Sequence, residues 1–148
     1  MAQVTRPAAR RPRLLLSSHQ QRRARIRQEF DTCCNCSFND QKARLDNLAV
    51  NLQSDPTASA YIIAYGGRSS RAGQADQLGA RAREYLVTYR GLNPSRIVVV
   101  NGGFREQDCL DLWIVPSGAT PPQPAPTVKP SDVHPAPEPV KGRRRSGG

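Results

Sequence analysis

The apolar residues in the middle of this chain form short continuous runs, and stretches of helical periodicity lie between them. Residues 61–65 are β-branched, aromatic or small and do not alternate with polar residues, which is typical of a strand buried on both faces. Residues 96–100 form a second run of this kind. Residues 30–38 and 110–115 are less regular in pattern, and we predict that they form the first and last strands.

Two segments between these runs carry apolar side chains at the spacing of an α-helix. In residues 40–54, leucines and an alanine recur at i, i+3, i+4 and i+7, and Asp55-Pro56 would stop this helix. A second helix would follow a polar loop at residues 68–73 and end near Gly91. Its apolar positions are Leu78, Ala82, Leu86 and Tyr89.

The order of these elements along the chain is β-α-β-α-β-β. Two helices on one face of a four-stranded mixed sheet would bury a modest core, so we predict a two-layer α+β domain over residues 29–118. Residues 1–28 are rich in arginine, whereas residues 119–148 are rich in proline and end in a basic patch. Both flanks hold too few apolar residues to fold, so we predict a disordered arm and a disordered tail.

The net charge of +10 is carried by the flanks. Residues 1–28 contain eight arginines and no acidic residue (+8), whereas residues 29–119 contain nine basic and ten acidic residues (−1). Residues 120–148 contain five basic and two acidic residues (+3). The predicted domain is therefore nearly neutral, which argues against nucleic acid as its partner. The alternative hypothesis, a basic protein that associates with nucleic acid, depends on the arginine-rich arm.

The candidate chemistry of the sequence favours neither an enzyme nor a metalloprotein. Neither His19 nor His134 lies near a plausible serine or cysteine nucleophile, and the glycine pairs do not form a phosphate-binding loop. The four cysteines lack the two-knuckle spacing of a zinc site, so we predict no metal and no cofactor. No apolar run is long enough to span a bilayer, and residues 14–16 are too short for the apolar core of an export signal.

The sequence resembles the OmpA-like domain in the order of its elements and in several short segments. This domain is a module that attaches bacterial outer-membrane and motor proteins to peptidoglycan. The resemblance covers residues 29–118. It is carried by KARLDNLAVNLQSDP, YIIAYGGR, ARAREYLVTYRGLNPSRI and RIVVVNGGFRE. The resemblance implies the two-layer fold, a non-catalytic role and a place in the periplasm or at the outer membrane.

The resemblance also implies a binding site at the end of the second strand. The family holds the ammonium of the peptidoglycan diamino acid with an Asp at this strand end, and its carboxylate with an Arg on the next helix. Here Gly67 stands in the place of the Asp and Arg81 supplies the arginine, with Arg68 and Arg71 as further cations. Such a half-site would favour an anion over a zwitterion, so the implied partner is peptidoglycan, bound weakly, or another anionic envelope component. Gly67→Asp would then add the missing carboxylate and raise binding.

The same resemblance bears on the cysteines, because the first and fourth strands of the family's fold are neighbours. This arrangement would bring Cys34 or Cys36 close to Cys109. In an oxidising compartment, one of that pair would form a disulfide with Cys109. The alternative, four reduced thiols that pack as small apolar side chains, stays open at the level of the sequence.

Overall fold

The computed structural model describes residues 26–137, in which two α-helices and four β-strands follow one another in the predicted order. The strands are β1 (Gln28–Cys34), β2 (Ser59–Gly67), β3 (Ile97–Arg105) and β4 (Cys109–Val115). The helices are α1 (Phe38–Ser54) and α2 (Gln74–Thr88). Most of the predicted arm, with the nucleic-acid hypothesis that depends on it, and the tail from residue 138 onward lie outside the described residues.

The four strands form one mixed sheet in the order β1-β4-β2-β3. β4 is antiparallel to both of its neighbours, whereas β2 and β3 are parallel and are joined through α2. Ala60, Ile62 and Ala64, which share one face of β2, belong to one core together with Leu45 of α1 and Leu86 of α2. Both helices therefore cover the same face of the sheet. The predicted α+β fold is confirmed.

β2 is buried on both faces, as its unbroken apolar pattern predicted. Seven of its nine residues are buried. Residues on the face away from the helices, Ile63 and Tyr65, form a second and smaller cluster with Cys109 of β4. A strand in this central position needs apolar side chains on both sides, which explains why it shows no alternation. The same prediction is wrong for β3, which lies at the edge of the sheet and has only two of its nine residues buried.

β1 ends and α1 begins earlier than the sequence pattern predicted. The strand ends at Cys34 rather than at residue 38, because Asn35 has a left-handed backbone (φ 56°) that turns the chain. Ser37 then caps α1, since its Oγ accepts a hydrogen bond of 3.2 Å from the backbone N–H of Asp40. The helix therefore begins at Phe38 rather than at residue 40.

The first part of the predicted tail packs on the domain. Residues 119–137, which we call the strap, lie against β3 and against the face of the sheet away from the helices. The backbone N–H of Ala125 donates to Oη of Tyr65 at 2.9 Å, and the backbone N–H of Val128 donates to the carbonyl of Phe104 at 3.1 Å. Val128 is only 5% exposed. The domain thus continues beyond the predicted boundary at residue 118, because an extended proline-rich segment needs only a few such contacts to dock.

The far end of the strap returns to the loop that follows β2. The backbone N–H of His134 donates to the carbonyl of Arg68 at 2.9 Å, and that of Ala136 donates to the carbonyl of Ser70 at 3.2 Å. Nη1 of Arg68 also donates to the carbonyl of Asp132 at 3.2 Å. The strap therefore holds the backbone of the loop in which the sequence predicted ligand-binding residues.

Candidate ligand-binding site

A cleft opens where the loop after β2, the first turns of α2 and the turn between β3 and β4 meet. Its outer part has a volume of about 440 Å³ and its inner part a volume of about 90 Å³. Both parts are lined by Gln74, Leu78, Arg81 and Asp108. The outer part is also lined by Ser70, Arg71 and Ala136, and the inner part by Cys33, Cys36, Gln41 and Cys109. We call the two parts together the pocket.

Asp108, in the turn before β4, brings a carboxylate to the end of β2. Its Oδ1 accepts hydrogen bonds from the backbone N–H of Gly67 at 2.7 Å and from Oγ of Ser70 at 2.5 Å. A Cβ atom on Gly67 would lie 3.2 Å from this same Oδ1 and 2.8 Å from Oγ of Ser70. The carboxylate of Asp108 thus stands beside the space that a side chain at position 67 would occupy. Among the described residues, its Oδ2 accepts no hydrogen bond.

Arg81 and Arg71 supply positive charge to the same pocket. The guanidinium of Arg81 lies over the ring of Phe38, 4.4 Å from its centroid, which orients the cation without neutralising it. Arg71 is exposed at the mouth of the outer part. Within residues 26–137, neither arginine forms a salt bridge. Both guanidinium groups are therefore available to an anionic group of a ligand.

Arg68 does not line the pocket, although the sequence placed it in the candidate site. Its Nε and Nη2 donate to the two carboxylate oxygens of Glu106 at 3.0 and 2.6 Å. This bidentate pair lowers the pKa of Glu106, mainly through the hydrogen bond from Arg68, and raises the pKa of Arg68. A third hydrogen bond of Arg68 goes to the strap, at the carbonyl of Asp132. The guanidinium of Arg68 therefore holds the loop and does not face the pocket.

The N-terminus of α2 faces the same region. Gly73 has a left-handed backbone (φ 80°) and, having no side chain, leaves the first turn without a side-chain cap. The helix dipole adds positive potential beside Arg71 and Gln74, although the first turn also carries the acidic Asp76 and the backbone N–H of Gln74 already donates to the carbonyl of Arg71. The pocket therefore has an acidic residue, Asp108, on one side and two arginines, Arg71 of the preceding loop and Arg81 of α2, on the other.

The inner part of the pocket is bounded by two disulfides. Cys34 of β1 is bonded to Cys109 of β4, with their Cα atoms 4.1 Å apart, and Cys33 is bonded to Cys36. The predicted link between the first and last strands is thus confirmed for Cys34, and the alternative of four reduced thiols is wrong for this structure. The second bridge was not predicted, although Cys33 and Cys36 have the C-x-x-C spacing at which short disulfide loops form.

Gln41 of α1 closes the inner end of the pocket. Its Nε2 donates to the carbonyl of Cys36 at 3.2 Å, which fixes the orientation of the amide. The side chain is buried, and among the described residues its Oε1 has no hydrogen-bond partner. The helical pattern of the sequence could not mark Gln41 as special, because a glutamine in the first turn of a helix is ordinarily exposed.

Of the residues predicted from the sequence, Arg71 and Arg81 line the pocket, and Gly67 lies outside its lining but donates its backbone N–H to Asp108. The acidic residue itself was not predicted. Asp108 is not among the residues that the sequence pattern marks as candidates. The only feature of the sequence that points to Asp108 is that Cys109 follows it. This feature locates Asp108 only once Cys109 is known to pair with Cys34. The pocket is therefore lined by residues of both charges, whereas the sequence predicted only cationic ones.

Compared with known protein families and with curated proteins, the sequence matches none of them. Within residues 26–137, no cluster of three or more histidine, cysteine or acidic side chains is arranged to hold a metal ion. No helix in the same range is both long enough and apolar enough to cross a membrane.

Proposed function

We propose that this protein is a non-catalytic OmpA-like module of the bacterial cell envelope, which binds the peptidoglycan stem peptide in the pocket. The observation that carries the proposal is that Asp108 and Arg81, residues of opposite charge, line one cleft. A zwitterionic centre, such as the distal ammonium and carboxylate of a diamino acid, complements this pair of charges.

In this proposal, each end of the ligand meets a distinct wall of the pocket. The ammonium pairs with Asp108, whose Oδ1 is already held by Gly67 and Ser70, so little side-chain entropy remains to be lost on binding. The carboxylate pairs with Arg81 and Arg71 beside the N-terminus of α2. The pocket thus replaces the family's aspartate with a carboxylate from another loop.

The disulfides support the envelope location that the resemblance implies. All four cysteines are paired, and disulfides persist in the periplasm and at cell surfaces, whereas the cytosol keeps thiols reduced. Peptidoglycan lies in the same compartment as the outer-membrane proteins that the family serves. The proposed ligand and the proposed location are therefore consistent with each other.

The test is a titration of the full chain with free meso-diaminopimelic acid, followed by chemical shifts of the Gly67 and Arg81 amides. Asp108→Asn and Arg81→Gln should each weaken the affinity by at least about tenfold, since each removes one charge-assisted contact. Arg83→Gln is the matched control, because Arg83 lies on α2 but outside the pocket and donates to the carbonyl of Pro94.

Pimelic acid, which has the same carbon chain and both carboxylates but no ammonium, separates a zwitterion site from a simple anion site. We expect it to bind at least about tenfold more weakly than diaminopimelic acid. Equal affinity for the two compounds would contradict the role given to Asp108. Binding to intact sacculi is measured with diaminopimelic acid as competitor, because the basic flanks also attract an anionic polymer non-specifically.

A further inference from the structure

The four cysteines form a covalent framework directly beneath the pocket. Each disulfide joins a buried cysteine to a more accessible one: Cys109 to the exposed Cys34, and Cys33 to the half-buried Cys36. A soluble thiol would therefore approach each bridge from the side of its more accessible residue, Cys34 or Cys36. Exposed disulfides of this kind exchange with thiols more readily than fully buried ones.

This framework fixes the main chain of Asp108 from two directions. Cys109, the next residue, is bonded to Cys34 at the point where β1 and β4 pair. The backbone N–H of Asn35, which lies inside the short Cys33–Cys36 loop, donates to the carbonyl of Asp108 at 2.7 Å. Both the residue after Asp108 and its own carbonyl are thus held by the segment that the disulfides constrain.

The same segment fixes the inner end of the pocket. The carbonyl of Cys36 is the acceptor that holds the amide of Gln41 in place. Among the described residues, this is the one side-chain hydrogen bond that positions the Gln41 amide, since its Oε1 has no partner there. A change in the Cys33–Cys36 loop would therefore alter the inner wall together with Asp108.

We infer that the two disulfides position Asp108 and that ligand binding in the pocket requires their oxidised state. This inference rests on the proposed function for its ligand, but its structural part does not depend on any ligand. The chief core between the helices and the sheet contains no cysteine. Reduction therefore acts first on the end of the sheet where the pocket lies.

The chemical step is a two-electron thiol–disulfide exchange with a dithiol as reductant. A dithiol thiolate forms a bond to Sγ of Cys34, the bond from Cys34 to Cys109 breaks, and Cys109 leaves as a thiolate that is then protonated. The second thiol of the reductant attacks the mixed disulfide and releases Cys34 as a thiol. The reductant leaves as a cyclic disulfide, and the Cys33–Cys36 bridge reacts in the same way.

The structural part is tested on the full chain by amide hydrogen exchange, with and without dithiothreitol and with no ligand present. Reduction should accelerate exchange at Gly67 and Asn35 about tenfold more than at Leu48 and Ile62, because the first two amides donate to Asp108 and the other two residues lie in the chief core. Equal acceleration at all four amides would show that the bridges only stabilise the whole fold. Unchanged exchange at Gly67 would overturn the inference equally.

The functional part compares the affinity for meso-diaminopimelic acid before and after reduction. We expect a loss of about tenfold or more on reduction, and a similar loss in the oxidised Cys34→Ser/Cys109→Ser variant, which retains the Cys33–Cys36 bridge. Unchanged affinity in both would overturn the inference and leave the proposed function intact. If the oxidised protein does not bind diaminopimelic acid, the proposed function fails, and the exchange measurement still decides whether the bridges position Asp108.

Discussion

The backbone N–H of Gly67 donates a 2.7 Å hydrogen bond to Oδ1 of Asp108, which lies 41 residues further along the chain. A side chain at position 67 would crowd this contact, because a Cβ there would lie 2.8 Å from Oγ of Ser70 and 3.1 Å from the backbone nitrogen of Asp108. The glycine that the sequence suggested was a missing aspartate is therefore the residue that lets another aspartate approach. The expected consequence of Gly67→Asp is reversed.

Gly67→Asp should weaken the binding of diaminopimelic acid rather than strengthen it. The new carboxylate would crowd and repel that of Asp108, and overpacking of this kind costs about 1–3 kcal/mol of unfolding free energy. Urea denaturation and ligand titration measure the two effects. Gly66→Ala is the matched control, because a Cβ at Gly66 would make only an ordinary 3.5 Å contact with the ring of Phe104. Tighter binding by the Gly67→Asp variant would contradict the arrangement of the pocket.

Val128 should contribute to stability as a core residue, although it lies in a proline-rich segment. Val128→Ala is expected to lower the unfolding free energy by about 1–2 kcal/mol, because it removes buried apolar area and leaves a cavity. Val133→Ala, on a half-buried residue of the same strap, should cost less. Urea denaturation of the full chain measures both changes. Equal stability of all three proteins would show that the strap does not belong to the folded unit.

The helices could be predicted because their apolar side chains repeat with a local period, and β2 could be predicted because its apolar run is continuous. For example, the buried face of α1 around Leu45 and that of α2 around Leu86 follow from the i, i+3 and i+4 spacing of apolar residues alone. The ends of β1 and α1 depend instead on single residues, Asn35 and Ser37, whose backbone conformation is set by contacts that a periodic pattern does not contain.

The strap and the acidic wall of the pocket could not be predicted, for two different physical reasons. Proline-rich composition is typical of unfolded segments, and one buried residue, Val128, does not change that composition. Asp108 is brought to Gly67 by the pairing of distant strands, and local sequence carries no information about such a contact. Among the predicted arginines, Arg68 does not face the pocket, because its guanidinium binds Glu106 and the carbonyl of Asp132 in the strap.

The contact between Arg68 and Glu106 should make the attachment of the strap sensitive to acid. The pKa of Glu106 is lowered below its ordinary value of 4.5, so the stabilisation is complete above about pH 4.5 and is lost as the pH falls through the lowered pKa. Amide exchange at His134, compared at matched intrinsic rates, should accelerate in that acidic range. In Arg68→Gln, the pKa of Glu106 should return toward its ordinary value in an NMR titration. A pKa that does not move would show that the pair is absent in solution.

Arg105 and Asp111 form the most deeply buried salt bridge among the described residues, with side-chain exposures of 17% and 7%. Their two hydrogen bonds measure 3.1 and 2.8 Å, and the guanidinium also lies 3.6 Å from the ring centroid of Tyr65. Asp111→Ala should lower the unfolding free energy by about 3–5 kcal/mol, because it leaves the positive charge of Arg105 buried without a partner. Chemical denaturation measures the loss.

A double-mutant cycle shows whether this loss belongs to the pair. Replacing Asp111 with Ala and Arg105 with Met together removes both charges, so the double variant should recover part of the stability that Asp111→Ala loses. The surface pair of Arg44 and Asp31, whose side chains are 38% and 29% exposed, is the control and should show a coupling of only about 0–1 kcal/mol. Added salt should weaken that surface pair and leave the buried one nearly unchanged, since counterions do not reach it. A coupling at Arg105 and Asp111 as small as that of the control would mean that water enters beneath the strap.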